Sequence, residues 1–154
     1  MTRIAGPYGQ LWAVIAVLLL IFKRTRRAGI SVLIAYAAVY LIGRTLLKHL
    51  ISRPRPCQID QAFSLLVARP SSPSFPSTHS AWAFGAATAV FMQNRKTGIA
   101  ASIVAALIAF SRLCLFLRFP TDALFGIALG IALGVLANRI VANLARRFTS
   151  HGDA

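Results

Sequence analysis

Acidic side chains are almost missing from this sequence. It has no glutamate and three aspartates, Asp60, Asp122 and Asp153, against 17 lysines and arginines. Two-metal enzymes hold their ions with several carboxylates, and three scattered ones do not make such a set. Cysteine is scarce as well. Cys57 and Cys114 stand in unlike settings, and His49, His79 and His151 lack metal-ligand spacing. A zinc site and a disulfide framework are therefore both disfavoured. Any catalysis is expected to need no metal and no other cofactor.

What is abundant is apolar. Hydrophobic residues make up 57% of the 154 residues, more than a soluble domain of this length hides in a core. A net charge of +14 ordinarily suggests nucleic acid. Here the basic residues fall into short clusters between long apolar runs, which is a membrane pattern, so no nucleic-acid partner is expected. Five apolar segments run at about 8–22, 28–47, 79–93, 99–117 and 123–144. They lack the strict alternation of barrel strands, so they read as helices. The expected fold is all-α: one membrane domain over 1–154, a polytopic bundle of about five transmembrane helices. Arg3 before the first apolar run resembles a signal peptide, but no small-x-small cleavage site follows, and the basic run KRTRR (23–27) does. The segment reads as a retained helix.

Orientation follows from the cations. Lys23, Arg24, Arg26, Arg27, Arg95, Lys96, Arg146 and Arg147, with Arg139 nearby, fall on one side. Arg3, Lys48, Arg53, Arg55, Arg69 and Arg118 fall on the other, with Arg44 and Arg112 close to it inside the helices. The first group has no other apparent task and is assigned to the cytoplasm. The second then faces outward, and the expected setting is a bacterial inner membrane with its site on the periplasmic or outer face. The longest connection, 51–78, holds prolines that forbid a continuous helix, with QAFSLLVA (61–68) as a short interfacial helix. Gly126, Gly130 and Gly134 line one helix face. That face suits close packing within the chain, with a homo-oligomer contact as the lesser reading.

Three patches meet on the outer side: KHLISRPRP around Lys48 and Arg55, PSTH from Pro76 to His79, and SRLCLFLRFPTD from Ser111 to Asp122. Lys48, Arg55 and Arg112 supply cations for a phosphate dianion. Ser77, Thr78 and the first amides of the third helix supply an anion cradle. His79 can protonate a leaving oxygen, and Asp122 can orient a neighbour. Each piece alone has a plainer reading as a helix cap or interfacial anchor. Arg112 is the hardest to dismiss, since a cation beside an apolar run is costly. Three patches in order, each at a helix end on one side, make a joint signal.

Lys48-x6-Arg55-Pro56, Pro76-Ser77-x-His79 and Ser111-Arg112-x9-Asp122 resemble the three-part signature of the type 2 phosphatidic acid phosphatase family, which shares its fold with vanadium haloperoxidases. The resemblance covers about residues 30–145. It implies metal-free hydrolysis of a lipid phosphate, phosphatidate-like or undecaprenyl diphosphate-like, at the outer face of the membrane. Lys48, Arg55, Ser77, Thr78 and Arg112 are implied to hold the phosphate, His79 to be the general acid and Asp122 to orient the nucleophile. The family's nucleophilic histidine position is Arg118 here. A guanidinium has no lone pair with which to attack phosphorus, although Arg118 is placed to pair with Asp122. Cys114 sits one turn earlier, His79 is needed as the acid, and helix spacing turns His49 away from the face of Lys48. None of these is an assured substitute. The alternative reading is therefore a catalytically impaired member that binds an anionic lipid headgroup. A small transporter or structural protein rests on composition alone.

Overall fold

The computed structural model describes residues 7–23, 25–59 and 70–150. QAFSLLVA, Arg69, Arg3, Arg24, Asp60, His151 and Asp153 lie outside the described residues.

Among the described residues, five helical rods form the bundle. The first is α1 (Pro7–Ile21). The second begins as α2 (Arg26–Val39), winds through a π-helical stretch (Tyr40–Leu47) and ends in α3 (Lys48–Ile51). A short turn, α4 (Pro56–Ile59), follows. The other rods are α5 (Thr78–Phe91), α6 (Arg95–Cys114) and α7 (Pro120–Ser150). Three stretches are long and apolar enough to cross a bilayer: Arg26–Ile59, Arg95–Cys114 and Pro120–Arg147. Apolar side chains such as Leu107, Phe110 and Leu124 are more than 60% exposed. In an aqueous protein such a surface is an aggregation hazard; in a bilayer it is the lipid-facing coat.

The rods begin and end where local chemistry dictates. Ser52, at a left-handed φ of 37°, stops the second rod. Asn94 caps α6, its Oδ1 accepting from the Lys96 and Thr97 amides at 3.0 and 3.3 Å. The fourth apolar run was expected to stay helical to Leu117. It ends at Cys114 instead, because Phe116 takes a left-handed φ of 56° and turns the chain towards Pro120, the first residue of α7.

α5 is the central helix, packed against α2, α6 and α7. Its buried residues are mostly alanine, with Trp82 stacked on Tyr36 at 5.0 Å between ring centroids. The glycine face of α7 lies directly against it. A Cβ on Gly126 would stand 2.4 Å from the Ser77 carbonyl oxygen, and one on Gly130 2.4 Å from that of Ala81. The face weighed as a homo-oligomer contact is thus covered by α5 within one chain. Backbone-to-backbone contact there pins the N-terminal ends of α5 and α7 together, which is where the site forms.

Candidate active site

A cavity of about 460 Å³ opens at that end of the bundle. The second rod contributes Arg44, Lys48 and Ser52, which share a face at four-residue spacing, with His49 at its edge. The turn after it contributes Arg55. The N-terminus of α5 brings Thr78 and His79, the last turn of α6 brings Arg112, and the α6–α7 turn brings Arg118.

The structure therefore brings six of the sequence-derived site residues together: Lys48, Arg55, Thr78, His79, Arg112 and Arg118. It leaves two behind the wall. Ser77 is fully buried, and its hydroxyl shares a hydrogen bond of 2.9 Å with that of Ser80. Asp122 is also fully buried and is wired into the loops. Its Oδ1 pairs with Arg53 at 2.9 Å, while its Oδ2 accepts from the Ser74 hydroxyl and, at 3.2 Å, from the Phe119 amide. The Asp122–Arg118 pairing anticipated from the sequence is replaced by this one.

Arg118 serves the loop instead. Its Nη1 donates to the carbonyls of Pro73 and Pro76 at 3.2 and 3.3 Å. Burial, followed by repulsion from Arg55, lowers its pKa to about 9. It is still a cation at neutral pH, and the two carbonyls offset part of the cost of burying it. Arg55 is held in a similar way. Its Nε donates to the Ser72 carbonyl at 2.7 Å, its Nη2 to the Ser72 hydroxyl at 2.8 Å and its Nη1 to the Leu117 carbonyl at 3.2 Å. The loop before α5 is thus clamped between motifs far apart in sequence, and the cations are aimed before any ligand arrives.

Two further basic side chains in the lining, Arg44 and His49, escaped the sequence reading as site residues. Arg44 precedes Lys48 by one helical turn, and that spacing was a usable signal. His49 was expected to face away from Lys48, yet it too lines the cavity, because the opening spans more than one stripe of the helix. Its imidazole Nδ1 donates to the Thr45 carbonyl at 2.5 Å. A carbonyl only accepts, so that bond requires the proton on Nδ1.

Five cations, Arg44, Lys48, Arg55, Arg112 and Arg118, and no carboxylate line this cavity among the described residues. Like charges so close repel in a medium of reduced dielectric. A bound dianion relieves that repulsion, so the site is shaped for a multiply charged oxyanion.

Comparison with known proteins agrees with this geometry. The family model described as the PAP2 superfamily matches residues 28–146. An undecaprenyl-diphosphatase of Sulfolobus acidocaldarius is 31% identical over 138 residues, covering 88% of this chain and 66% of that protein. A decaprenylphosphoryl-5-phosphoribose phosphatase of Mycobacterium tuberculosis is 32% identical over 135 residues, covering 84% of this chain and 71% of its own. The crystal structure of a transmembrane PAP2-type phosphatidylglycerolphosphate phosphatase from Bacillus subtilis superposes with a TM-score of 0.67 at 28% identity. That match covers 87% of this chain and 68% of that one. Aquifex aeolicus LpxE shares the fold, with a TM-score of 0.63 at 22% identity over 88% of each chain. The match runs through all three motifs and most of the bundle: the chain belongs to the PAP2 superfamily.

Proposed function

We propose that this chain is a membrane lipid phosphatase. It draws the phosphate or diphosphate headgroup of a phosphatidate-like or polyprenyl lipid into the cationic cavity and hydrolyses it at the outer face of the membrane. The observation that carries this reading is the convergence of Lys48, Arg55, His79 and Arg112, from three separate stretches of chain, on one cavity. The names of the relatives, phosphatases of polyprenyl and phosphatidylglycerol phosphates, support the substrate class. The basic loops at the opposite end support the outward orientation.

The chemistry follows from the lining. Lys48, Arg55 and Arg112 spread over the phosphoryl oxygens and stabilise the charge of the transition state. His79 passes a proton to the leaving oxygen as its bond to phosphorus breaks. Arg118 supplies charge and loop geometry, not an attacking atom. Attack falls to water, whose oxygen bonds to phosphorus once His79 has given its proton to the leaving oxygen, the water proton then passing back to the vacated nitrogen of His79.

One observation favours a second reading, headgroup binding without turnover. The family's nucleophile position is an arginine committed to two loop carbonyls. Phosphate release from a panel of lipid phosphates and diphosphates, with His79→Ala as control, separates the two. Release by the wild type alone is the expected result. Binding without release selects the second reading, and neither binding nor release removes both.

A further inference from the structure

We propose a second anion site at the opposite end of the bundle, where Arg27 and Arg139 hold the phosphodiester headgroup of an anionic phospholipid from the other leaflet. α5 runs from His79 at the active-site cavity to Gln93, just past its far end, roughly 20 Å away at helical rise. There a separate cavity of about 270 Å³ is lined by Arg27 at the start of α2, Gln93 beyond α5, and Asn138 and Arg139 on α7. The polar floor is hydrogen-bonded. Asn138, 6% exposed, donates through Nδ2 to the carbonyls of Ala89 and Gly134 at 3.2 and 3.1 Å. Its Oδ1 accepts from Gln93 Nε2 at 3.1 Å. That bond uses one N–H of Gln93, and the other remains for a ligand oxygen.

The charge at this end is not balanced within the described residues. Their one carboxylate, Asp122, is at the other end of α7 and pairs with Arg53. Two guanidiniums from different helices over amide groups suit a phosphate oxyanion. A lipid is favoured over free phosphate by what flanks the cavity. Met92, half exposed, and Val141 and Ala142 supply its apolar lining, placed to meet acyl chains while the headgroup sits among the arginines.

Native mass spectrometry of the detergent-solubilised full chain, titrated with phosphatidylglycerol or phosphatidylcholine, tests this. The wild type should prefer phosphatidylglycerol. Arg27→Gln with Arg139→Gln should weaken that binding roughly tenfold or more. Arg95→Gln with Lys96→Gln, which removes the same charge at the same end but outside the cavity, should not. Arg27→Lys with Arg139→Lys should retain most of the binding, which guards against a folding defect. Inorganic phosphate at matched ionic strength should fail to displace the lipid. Equal loss from both glutamine pairs overturns the site in favour of diffuse surface charge. Displacement by inorganic phosphate overturns the lipid assignment, and a wild type without preference overturns the proposal. Lipid hydrolysis enters none of these readouts, so the test stands apart from the catalytic reading.

Discussion

Arg53 and Asp122, 69 residues apart in sequence, form an ion pair of 2.9 Å that joins the turn after the second rod to the start of α7. The Arg53 guanidinium also lies over the Phe119 ring, 4.0 Å from its centroid. Asp122 is fully buried, so removing its carboxylate takes the acceptor from the Ser74 hydroxyl and the Phe119 amide and leaves Arg53 with the Thr121 hydroxyl alone. Asp122→Ala should destabilise the protein by about 3 kcal/mol. Arg53 is partly exposed and screened, and Arg53→Ala should cost about 1 kcal/mol. Thermal unfolding in detergent checks the order, which reverses if Asp122 is only a helix cap.

The packing of α7 on α5 gives a second contrast. At Gly130 a methyl group would meet the Ala81 carbonyl at 2.4 Å, and at Gly43 nothing lies closer than 3.6 Å. Gly130→Ala should force the two helices apart and lose roughly 1–3 kcal/mol. Gly43→Ala should be neutral or stabilising by up to about 1 kcal/mol. The two unfolding midpoints should move in opposite directions or by clearly different amounts.

Binding and turnover should separate by residue. Arg112→Ala removes a cation from the cavity wall and should weaken headgroup binding roughly tenfold to a hundredfold. His79→Ala should leave binding largely intact and lower phosphate release by roughly a hundredfold or more. Titration of a non-hydrolysable lipid phosphonate, beside release assays, reads both quantities.

The cluster of five cations predicts a ligand effect on stability. An oxyanion that binds only the folded cavity should raise the unfolding temperature in proportion to its occupancy. Inorganic phosphate or vanadate should stabilise the wild type, and the gain should shrink in Lys48→Ala. Equal stabilisation of both proteins by chloride at matched ionic strength would mark it as general screening.

Much of this was legible in the sequence, and the limits have physical causes. The apolar runs dictated the rods, because a lipid solvent forces backbone groups to satisfy one another. Lys48, Arg55, His79 and Arg112 were readable as a set because each sits at a helix end on one side. Partner choice was not readable. Asp122 lies near two arginines, Arg53 and Arg118, and only the folded loops show that it pairs with the first while the second takes the Pro73 and Pro76 carbonyls. The inward reach of His49 depends on the width of the cavity, which spacing along one helix does not encode. Ser77 was read as a ligand group from its motif, and its burial against Ser80 emerges only once α5 and α7 are packed.

Arg118 is the point on which the catalytic account turns. Arg118→His gives up two hydrogen bonds to the Pro73 and Pro76 carbonyls and should cost about 1–2 kcal/mol of stability. It also places an imidazole at the position that the family resemblance gives to the nucleophile, within a cavity that already holds cations and His79, the proposed acid. The most direct measurement is phosphate release from the lipid panel by the wild type and by Arg118→His, side by side in the same detergent. Slow release by the wild type and release at least roughly a hundredfold faster by the variant are the predicted result. No release by either folded protein from any lipid phosphate would contradict the account.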